Sequence, residues 1–169
     1  IFTRDMSLAT PTDPLTSGGL LHAITGTLTL VLCALILSVP IGILTALYLT
    51  EIRGRFTRPI RFLVQAMSGV PSIVAGLFIL SAVLYPITKQ YSGFMGSLAL
   101  TILMIPTIAR TSEEVLKLIP NDLREAGVAL GGTQWRTVAM IVIPAARSGL
   151  VTAMILGIAR IAGETAPLL

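Results

Sequence analysis

The stretch that decides the fold is PNDLREAGVALGGTQWRTVAMIVIP, which runs from Pro120 to Pro144. Its first part predicts a short helix over residues 121–130. Asn121 is a favourable N-cap residue, and Asp122 places a negative charge in the first turn, where the helix dipole favours one. Gly131 and Gly132 then end the helix, through a residue in the left-handed conformation.

One side of this predicted helix is apolar, because Leu123, Ala126 or Gly127, and Leu130 recur at helical spacing. Such a helix could simply lie on the bilayer surface. It is, however, too short and too acidic to bind an anionic membrane face well. The pattern therefore favours a protein partner.

The sequence around this stretch is strongly apolar. Of the 169 residues 54% are hydrophobic and 12% are charged, whereas about 25% are charged in soluble domains. The intervals 14–50, 62–88 and 90–109 contain no Asp, Glu, Lys or Arg, and a fourth apolar stretch runs from 148 to the end. Because about 18 uncharged apolar residues are enough for a spanning helix, the chain is predicted to be an all-α, polytopic membrane protein.

The predicted organisation has two parts. Residues 1–19 form a polar, extracytoplasmic lead-in loop, and residues 20–169 form a transmembrane domain of about four to five spans. The spans are placed at 21–50, with a kink at Pro40, at 62–88, interrupted by SGVPS, at 94–109, and from 150 onward. The chain begins with Ile1 rather than Met and stops inside an apolar segment, so we expect a longer protein with further spans.

Basic residues predict the orientation of these spans. The loops at 51–61 and 110–136 hold eight Lys and Arg residues, whereas the opposite side has only Arg4 and Lys89. Because Lys and Arg collect in cytoplasmic loops, both longer loops are predicted to lie in the cytoplasm. The segment 110–136 is then the main cytoplasmic segment.

The cytoplasmic segment resembles the EAA signature of ABC importer permeases. That signature reads Glu-Ala-Ala, three residues, Gly, nine residues, Ile-x-Leu-Pro. Here Glu125-Ala126-Gly127 is followed at the same spacing by Gly131 and by the run IVIP at 141–144. The resemblance implies the MetI-like fold of a type I importer transmembrane domain. In that family this helix docks on a cytosolic ATPase.

Two further motifs resemble the phosphate-specific branch of that family. GVPSI at 69–73 and the ending ARIAGETAPLL at 159–169 are similar to the permease pair of that branch. Within the ending, GETAPLL at 163–169 is similar to the PstA type of subunit rather than to the PstC type. The resemblance implies inward transport of inorganic phosphate across a bacterial or archaeal inner membrane. It also implies three kinds of partner, which are a P-loop ATPase dimer, a second, PstC-like permease and an extracytoplasmic phosphate-binding protein.

The resemblance assigns ATPase coupling to one group of residues, namely Asp122, Leu123, Glu125, Ala126, Leu130 and Gly131. No cofactor is expected in the chain itself. It contains no Gly-x-x-x-x-Gly-Lys-[Ser/Thr] phosphate loop, so ATP and Mg²⁺ are expected on the partner ATPase. The chain is therefore predicted to be a transport subunit and not an enzyme.

A second group of residues is predicted to line the substrate path. It consists of Ser72, Arg160, Glu164 and Thr165, which lie beside backbone breaks at Pro71, Gly163 and Pro167. Irregular backbone at membrane depth is tolerated where it is buried in protein or lines a water-filled cavity. If the last helix starts near 148, Arg160 lies about 18 Å along it. One interpretation is that Arg160 contacts the anion, and the other is that Arg160 and Glu164 only neutralise each other.

Three other functions remain as alternatives to phosphate transport. The permease could carry another oxyanion such as sulfate or molybdate, because only the final motif argues for phosphate. An intramembrane enzyme using Glu164 as an acid would need a second catalytic group at membrane depth, and none of the predicted spans offers another carboxylate or a His at that depth. A purely structural subunit would leave the EAA spacing unexplained.

The sequence also argues against several kinds of site. There is no basic helix or aromatic platform outside the apolar segments, which argues against nucleic-acid binding. Cys33 is the only cysteine, so no disulfide can form within the chain. His22 is the only histidine, and its place at the mouth of the first span suits an interfacial side chain better than a metal ligand.

Overall fold

The structure, a computed structural model, describes residues 20–52, 54–88 and 92–164. The predicted lead-in loop at 1–19 lies outside these residues. The first helix, α1 (Leu21–Leu47), continues through Pro40 and ends in a π-helical turn, Tyr48–Ile52. Together they form 32 helical residues, enough to cross a membrane and to extend beyond it.

The second predicted span is broken, as the sequence suggested. It consists of α2 (Thr57–Ser68), α3 (Ser72–Ile79) and a π-helical segment, Leu80–Thr88. The two halves meet at an angle of 105° around Pro71. Ser68 is the last residue of α2, and its hydroxyl donates to Gln65 O at 2.7 Å, so it does not cap α3.

The third span is longer than predicted. Helix α4 (Gly93–Lys117) continues eight residues past the predicted end at Ala109, into the region assigned to the cytoplasmic loop. Its last two turns carry charges of both signs, which water at the membrane surface can solvate. The short helix α5 (Asn121–Ala129) follows after Pro120.

The start of the last helix was predicted wrongly. Instead of beginning near residue 150, the helical backbone runs from α6 (Gln134–Thr137) through a π-helical turn (Val138–Val142) into α7 (Ile143–Ala162). Pro144 does not break it, because it lies in the first turn of α7, where a missing N–H is tolerated. The π-helical turn before Pro144 accommodates the backbone hydrogen bond that proline cannot donate.

Helices α1, α4 and α7 form the core of the bundle. Gly42 of α1 lies against Ile108 of α4, so close that a Cβ on Gly42 would lie 2.7 Å from Ile108 Cγ2. Gly157 of α7 contacts the same region of α4, at Ile108 and Met104. Small residues of this kind let membrane helices approach closely.

The contacts also give the directions of the helices. Leu30 lies beside Gly93 and Gly42 beside Ile108, so α1 and α4 run parallel. Helix α7 runs the opposite way, because its earlier residues pack at the C-terminal end of α4 and Gly157 packs near its middle. By length and composition, three helices of the described residues can cross a membrane, or four if α2 and Ser72–Val83 form one bent span. The described residues are all-α, as predicted, and they contain three to four spans, against the four to five that the sequence predicts.

Candidate functional site

Helix α5 is the predicted coupling helix, and it forms where the sequence places it. Its first residue is Asn121 and its last is Ala129. The predicted capping by Asn121 is wrong, because Pro120 holds the N-cap position and no side chain caps this end. Asn121 Oδ1 instead accepts a long hydrogen bond, 3.5 Å, from Arg124 Nη1.

The C-terminal end of α5 confirms the predicted left-handed residue. Gly131 has φ +83°, a conformation that side chains with a Cβ rarely adopt. Gly131 N donates to Val128 O at 2.9 Å, and Gly132 N donates to Gly127 O at 3.2 Å. These two bonds define a Schellman motif, which satisfies the last carbonyls of the helix and turns the chain sharply.

The predicted apolar side of α5 is divided between two environments. Gly127 is buried against the start of the last helix. Leu123 is 41% exposed and Leu130 is 87% exposed, so the chain itself covers neither side chain fully. The other predicted coupling residues on the helix, Asp122, Glu125 and Ala126, are also exposed. The helix therefore presents a mixed apolar and acidic surface outward.

Gly127 is one of two positions where the sequence departs from the EAA pattern, the other being Ile143, and for Gly127 the structure gives the physical reason. A Cβ at Gly127 would lie 2.5 Å from Thr137 Cγ2 and 2.8 Å from Ile141 Cδ1. In this chain the helix and the last span approach too closely for alanine. The missing methyl group thus allows tight packing of α5 against residues 137–141.

Arg124 fixes the other side of α5, a role that no local sequence pattern indicates. Its Nη2 lies 2.9 Å from Glu51 Oε1, and its Nε lies 3.1 Å from the same oxygen. Nη1 donates to Ile119 O at 2.6 Å, and Nη2 donates to Leu116 O at 2.9 Å. The guanidinium therefore connects α5 to the ends of both α1 and α4.

Glu51 belongs to the π-helical turn after α1, and its side chain is 7% exposed. Its backbone carbonyl accepts a hydrogen bond of 2.7 Å from Gln134 Nε2 at the start of the last helix. We call Glu51, Arg124 and Gln134 the cytoplasmic junction. It joins the first span, the coupling helix and the last span at one point.

An open groove of about 760 Å³ lies beside this junction. Across it, Glu113 of α4 accepts from Arg61 Nη2 at 2.7 Å and lies 2.7 Å from Lys117 Nζ. Glu113 is 6% exposed, while the two cations are about half exposed, at 45% and 55%. This second ionic cluster ties α2 to the last turns of α4.

Arg160 lies near the end of α7 and is exposed in this chain. Its neighbour Ile161 is buried in one cluster with Val31, Leu100 and Met104. Arg160 is therefore level with the N-terminal half of α4, inside the span. Its depth in the membrane stays a prediction, because the helix starts earlier than the expected residue 148 from which that depth was counted.

The predicted pairing of Arg160 with Glu164 is wrong for this structure. The helix ends at Ala162, and Glu164 follows in the turn after Gly163, with its N–H bonded to Ile161 O at 3.1 Å. Glu164 is consequently not on the next helical turn. Among the described residues, no ion pair joins Arg160 to Glu164.

The structure does not bring the other predicted path residues into contact with Arg160. Ser72 is the first residue of α3 and is half-buried. Within 20–52, 54–88 and 92–164, no hydrogen bond or ion pair connects Ser72 with Arg160 or Glu164. Thr165 lies outside the described residues.

These features agree with a family comparison. Residues 38–169 match the model of the binding-protein-dependent transport system inner membrane component. The chain belongs to this family. With its long apolar helices it is therefore a multi-pass membrane protein.

Several known proteins are similar to this chain over nearly its whole length. A phosphate transport system permease protein PstA 1 of Mycobacterium tuberculosis is 47% identical over 154 residues, which is 90% of this chain and 50% of that protein. A PstA protein of Pasteurella multocida is 47% identical over 155 residues, covering 90% and 55%. A PstA protein of Yersinia pestis is 42% identical over 171 residues, covering 97% and 58%. The chain thus spans about half the length of these relatives.

A solved structure shares the fold of this chain. It shows an inward-facing conformation of the MetNI methionine ABC transporter, with a TM-score of 0.69 over 86% of this chain and 68% of that chain. The sequences are 23% identical, so the likeness establishes the fold alone. The predicted MetI-like importer fold is confirmed.

Proposed function

We propose that the chain is the core of a permease subunit that carries inorganic phosphate inward in an ATP-driven importer. The observation that supports this proposal is the surface of α5. Contacts within its own chain hold this helix at both ends, but its outer surface is uncovered. Its exposed Leu123 and Leu130 stand beside acidic side chains. A partner protein that covers this surface would gain apolar burial and charge pairing together.

The proposed partner on α5 is a cytosolic ATPase, which binds and hydrolyses ATP with Mg²⁺. Because Arg124 holds α5 to the ends of α1 and α4, a push on α5 is transmitted to both spans at once. Packing of Gly127 against Thr137 and Ile141 extends the same rigid unit to the last helix. A second, PstC-like permease and an extracytoplasmic phosphate-binding protein complete the proposed importer, and two permeases rocking against each other would alternate access to the path.

Phosphate is proposed as the substrate because the relatives named above are phosphate transport permeases. Arg160 supports an anion path. A guanidinium offers a planar set of donors that suits phosphate oxygens, and in this chain Arg160 is exposed at membrane depth without an ion-pair partner among the described residues. Placing a charged arginine at the centre of a membrane span costs about 2.5–3.5 kcal/mol on insertion scales, which favours a functional role for Arg160.

Within this proposal Glu164 limits anion binding without pairing with Arg160. Since it does not neutralise Arg160, it would limit how tightly an anion is held near the end of α7, so that the anion can leave. Ser72 and Thr165 remain proposed path residues. Arginine alone would accept sulfate as well as phosphate, so selection between oxyanions is assigned to the binding protein.

Substitution of Gly131 tests the proposed coupling role. In the reconstituted transporter, Gly131→Val should abolish stimulation of ATP hydrolysis by loaded binding protein, because valine is strained at φ +83°. Gly131→Asn should keep part of the stimulation, since asparagine tolerates the left-handed conformation. Gly26→Val is the matched control, because a Cβ at Gly26 also meets nothing within 4 Å but the residue lies in α1. Full stimulation and uptake in Gly131→Val would refute the proposal.

A further inference from the structure

Helix α2 has three distinct sides. Ile60, Val64 and Met67 face the bundle, and Val64 is only 4% exposed. Arg58, Arg61 and Gln65 follow at helical spacing on a second, polar side. The third side is apolar and uncovered, and it consists of Pro59, Phe62, Leu63 and Ala66, which are all exposed.

The position of α2 places it at the level of the membrane surface. Arg61 donates to Glu113, which lies one turn before the end of α4 at Lys117. The charges of α4 begin at Arg110, so this region corresponds to the boundary between hydrocarbon and water. The bend at Pro71 sets α2 at an angle of 105° to α3. Residues after the bend, Ile79 among them, pack along the N-terminal half of α4.

The charge of this segment is of one sign. Residues 54–68 contain Arg55, Arg58 and Arg61 and no Asp or Glu. Arg61 is paired with Glu113, but among the described residues neither Arg55 nor Arg58 has an ion-pair partner. Two large apolar side chains lie close in the sequence to Arg55 and Arg58: Phe56 is 65% exposed and Phe62 is 74% exposed.

We propose that α2 lies in the plane of the cytoplasmic leaflet and binds anionic lipid headgroups. Phe62 and Leu63 would enter the hydrocarbon boundary, and Arg55 and Arg58 would contact lipid phosphates. Charge complementarity selects this occupant, because the cytoplasmic leaflet is anionic and attracts basic residues beside a span. An uncovered apolar side next to arginines is also the pattern of helices that lie in the membrane interface. The helix would then hold the turn between the first two spans at a constant depth while the bundle rocks. The proposal depends on the membrane location and not on the transported anion.

Spin-label accessibility in the assembled transporter tests the position of α2. Single cysteines replace Phe62, Leu63 or Gln65 in a Cys33→Ser background free of other cysteines, and the transporter is placed in nanodiscs of phosphatidylglycerol and phosphatidylcholine. We expect labels at Phe62 and Leu63 to collide more with oxygen, which concentrates in lipid, and the label at Gln65 to collide more with a water-soluble nickel chelate. Nickel access at all three sites would place α2 in water. Protection of Phe62 and Leu63 from both reagents would show a protein contact instead, and either result overturns the proposal.

Charge removal tests the lipid binding itself. The number of phosphatidylglycerol molecules retained by the transporter is measured by native mass spectrometry over a lipid titration. Arg55→Gln and Arg58→Gln should each weaken retention about fivefold, the factor for about 1 kcal/mol per basic residue at an anionic surface. Arg136→Gln is the matched control, because Arg136 is also an exposed arginine of the predicted cytoplasmic face but lies on α6. The assignment is contradicted if Arg136→Gln weakens lipid retention as much as Arg55→Gln and Arg58→Gln do, or if these two variants retain lipid as well as the unchanged protein.

Discussion

Replacing Arg124 with glutamine should disconnect the coupling helix from the spans without unfolding them. Glutamine is too short to reach Glu51 and the carbonyls of Leu116 and Ile119 together, and it carries no charge. The substitution therefore removes the contacts to α1 and α4 at once. The backbone of α5 should remain helical, because its Schellman end does not involve this side chain.

The cost follows from the burial of the partner. Glu51 is 7% exposed, and removing one member of a buried ion pair typically costs about 3–5 kcal/mol because the other charge is stranded. Glu51 also lines the open groove, from which water can reach the carboxylate, so we expect the lower end, about 3 kcal/mol. Lysine at 124 should lie between arginine and glutamine, since one ammonium cannot reproduce a fork of donors.

Two measurements check this prediction. Unfolding of the full-length subunit in a detergent titration gives the stability change for Arg124→Gln, Glu51→Gln and the double variant. Because the double variant strands no charge, its loss should be smaller than the sum of the single losses by about 1–3 kcal/mol. In the assembled transporter, both single variants should keep basal ATP hydrolysis but lose its stimulation by loaded binding protein.

Arg61→Gln is the matched control for this experiment. Arg61 is 45% exposed, and Lys117 still pairs with Glu113 when Arg61 is removed, so the loss should be at most about 1 kcal/mol. If Arg124→Gln costs no more than Arg61→Gln, or if stimulation survives in Arg124→Gln, the cytoplasmic junction does not transmit motion.

Three further predictions concern the last helix and the substrate. Gly127→Ala should destabilise the subunit by about 1–3 kcal/mol through the clash with Thr137, and Thr137→Ala should restore part of the loss in the same unfolding assay. Arg160→Gln should reduce phosphate uptake to background in proteoliposomes, and adding Glu164→Gln should not restore it, because the two residues are not paired; recovered uptake in the double variant would remove Arg160 from the path. Uptake of labelled phosphate by the complete transporter should resist excess sulfate, and strong competition would favour a general oxyanion permease.

Composition and spacing alone were enough to predict the class of this protein. Long uncharged intervals predict spanning helices whatever their neighbours are, because a backbone in hydrocarbon must satisfy its own hydrogen bonds. The spacing from Glu125 to Pro144 indicated the family and the position of α5, and two adjacent glycines marked its left-handed end. These properties are local, so each can be recognised from a few consecutive residues.

Only the tertiary structure decided how the helices end and what holds them together. The last helix begins at Gln134 rather than near 150, because a π-helical turn accommodates Pro144, and it ends before Glu164 can reach Arg160. Gly127 is needed in α5 because Thr137 and Ile141 occupy the space that a larger side chain would take. The junction of Glu51 with Arg124 joins residues 73 positions apart, a pairing that no local pattern encodes. Such contacts depend on where three helices meet in space, since charge and steric fit act over a few ångströms regardless of distance along the chain.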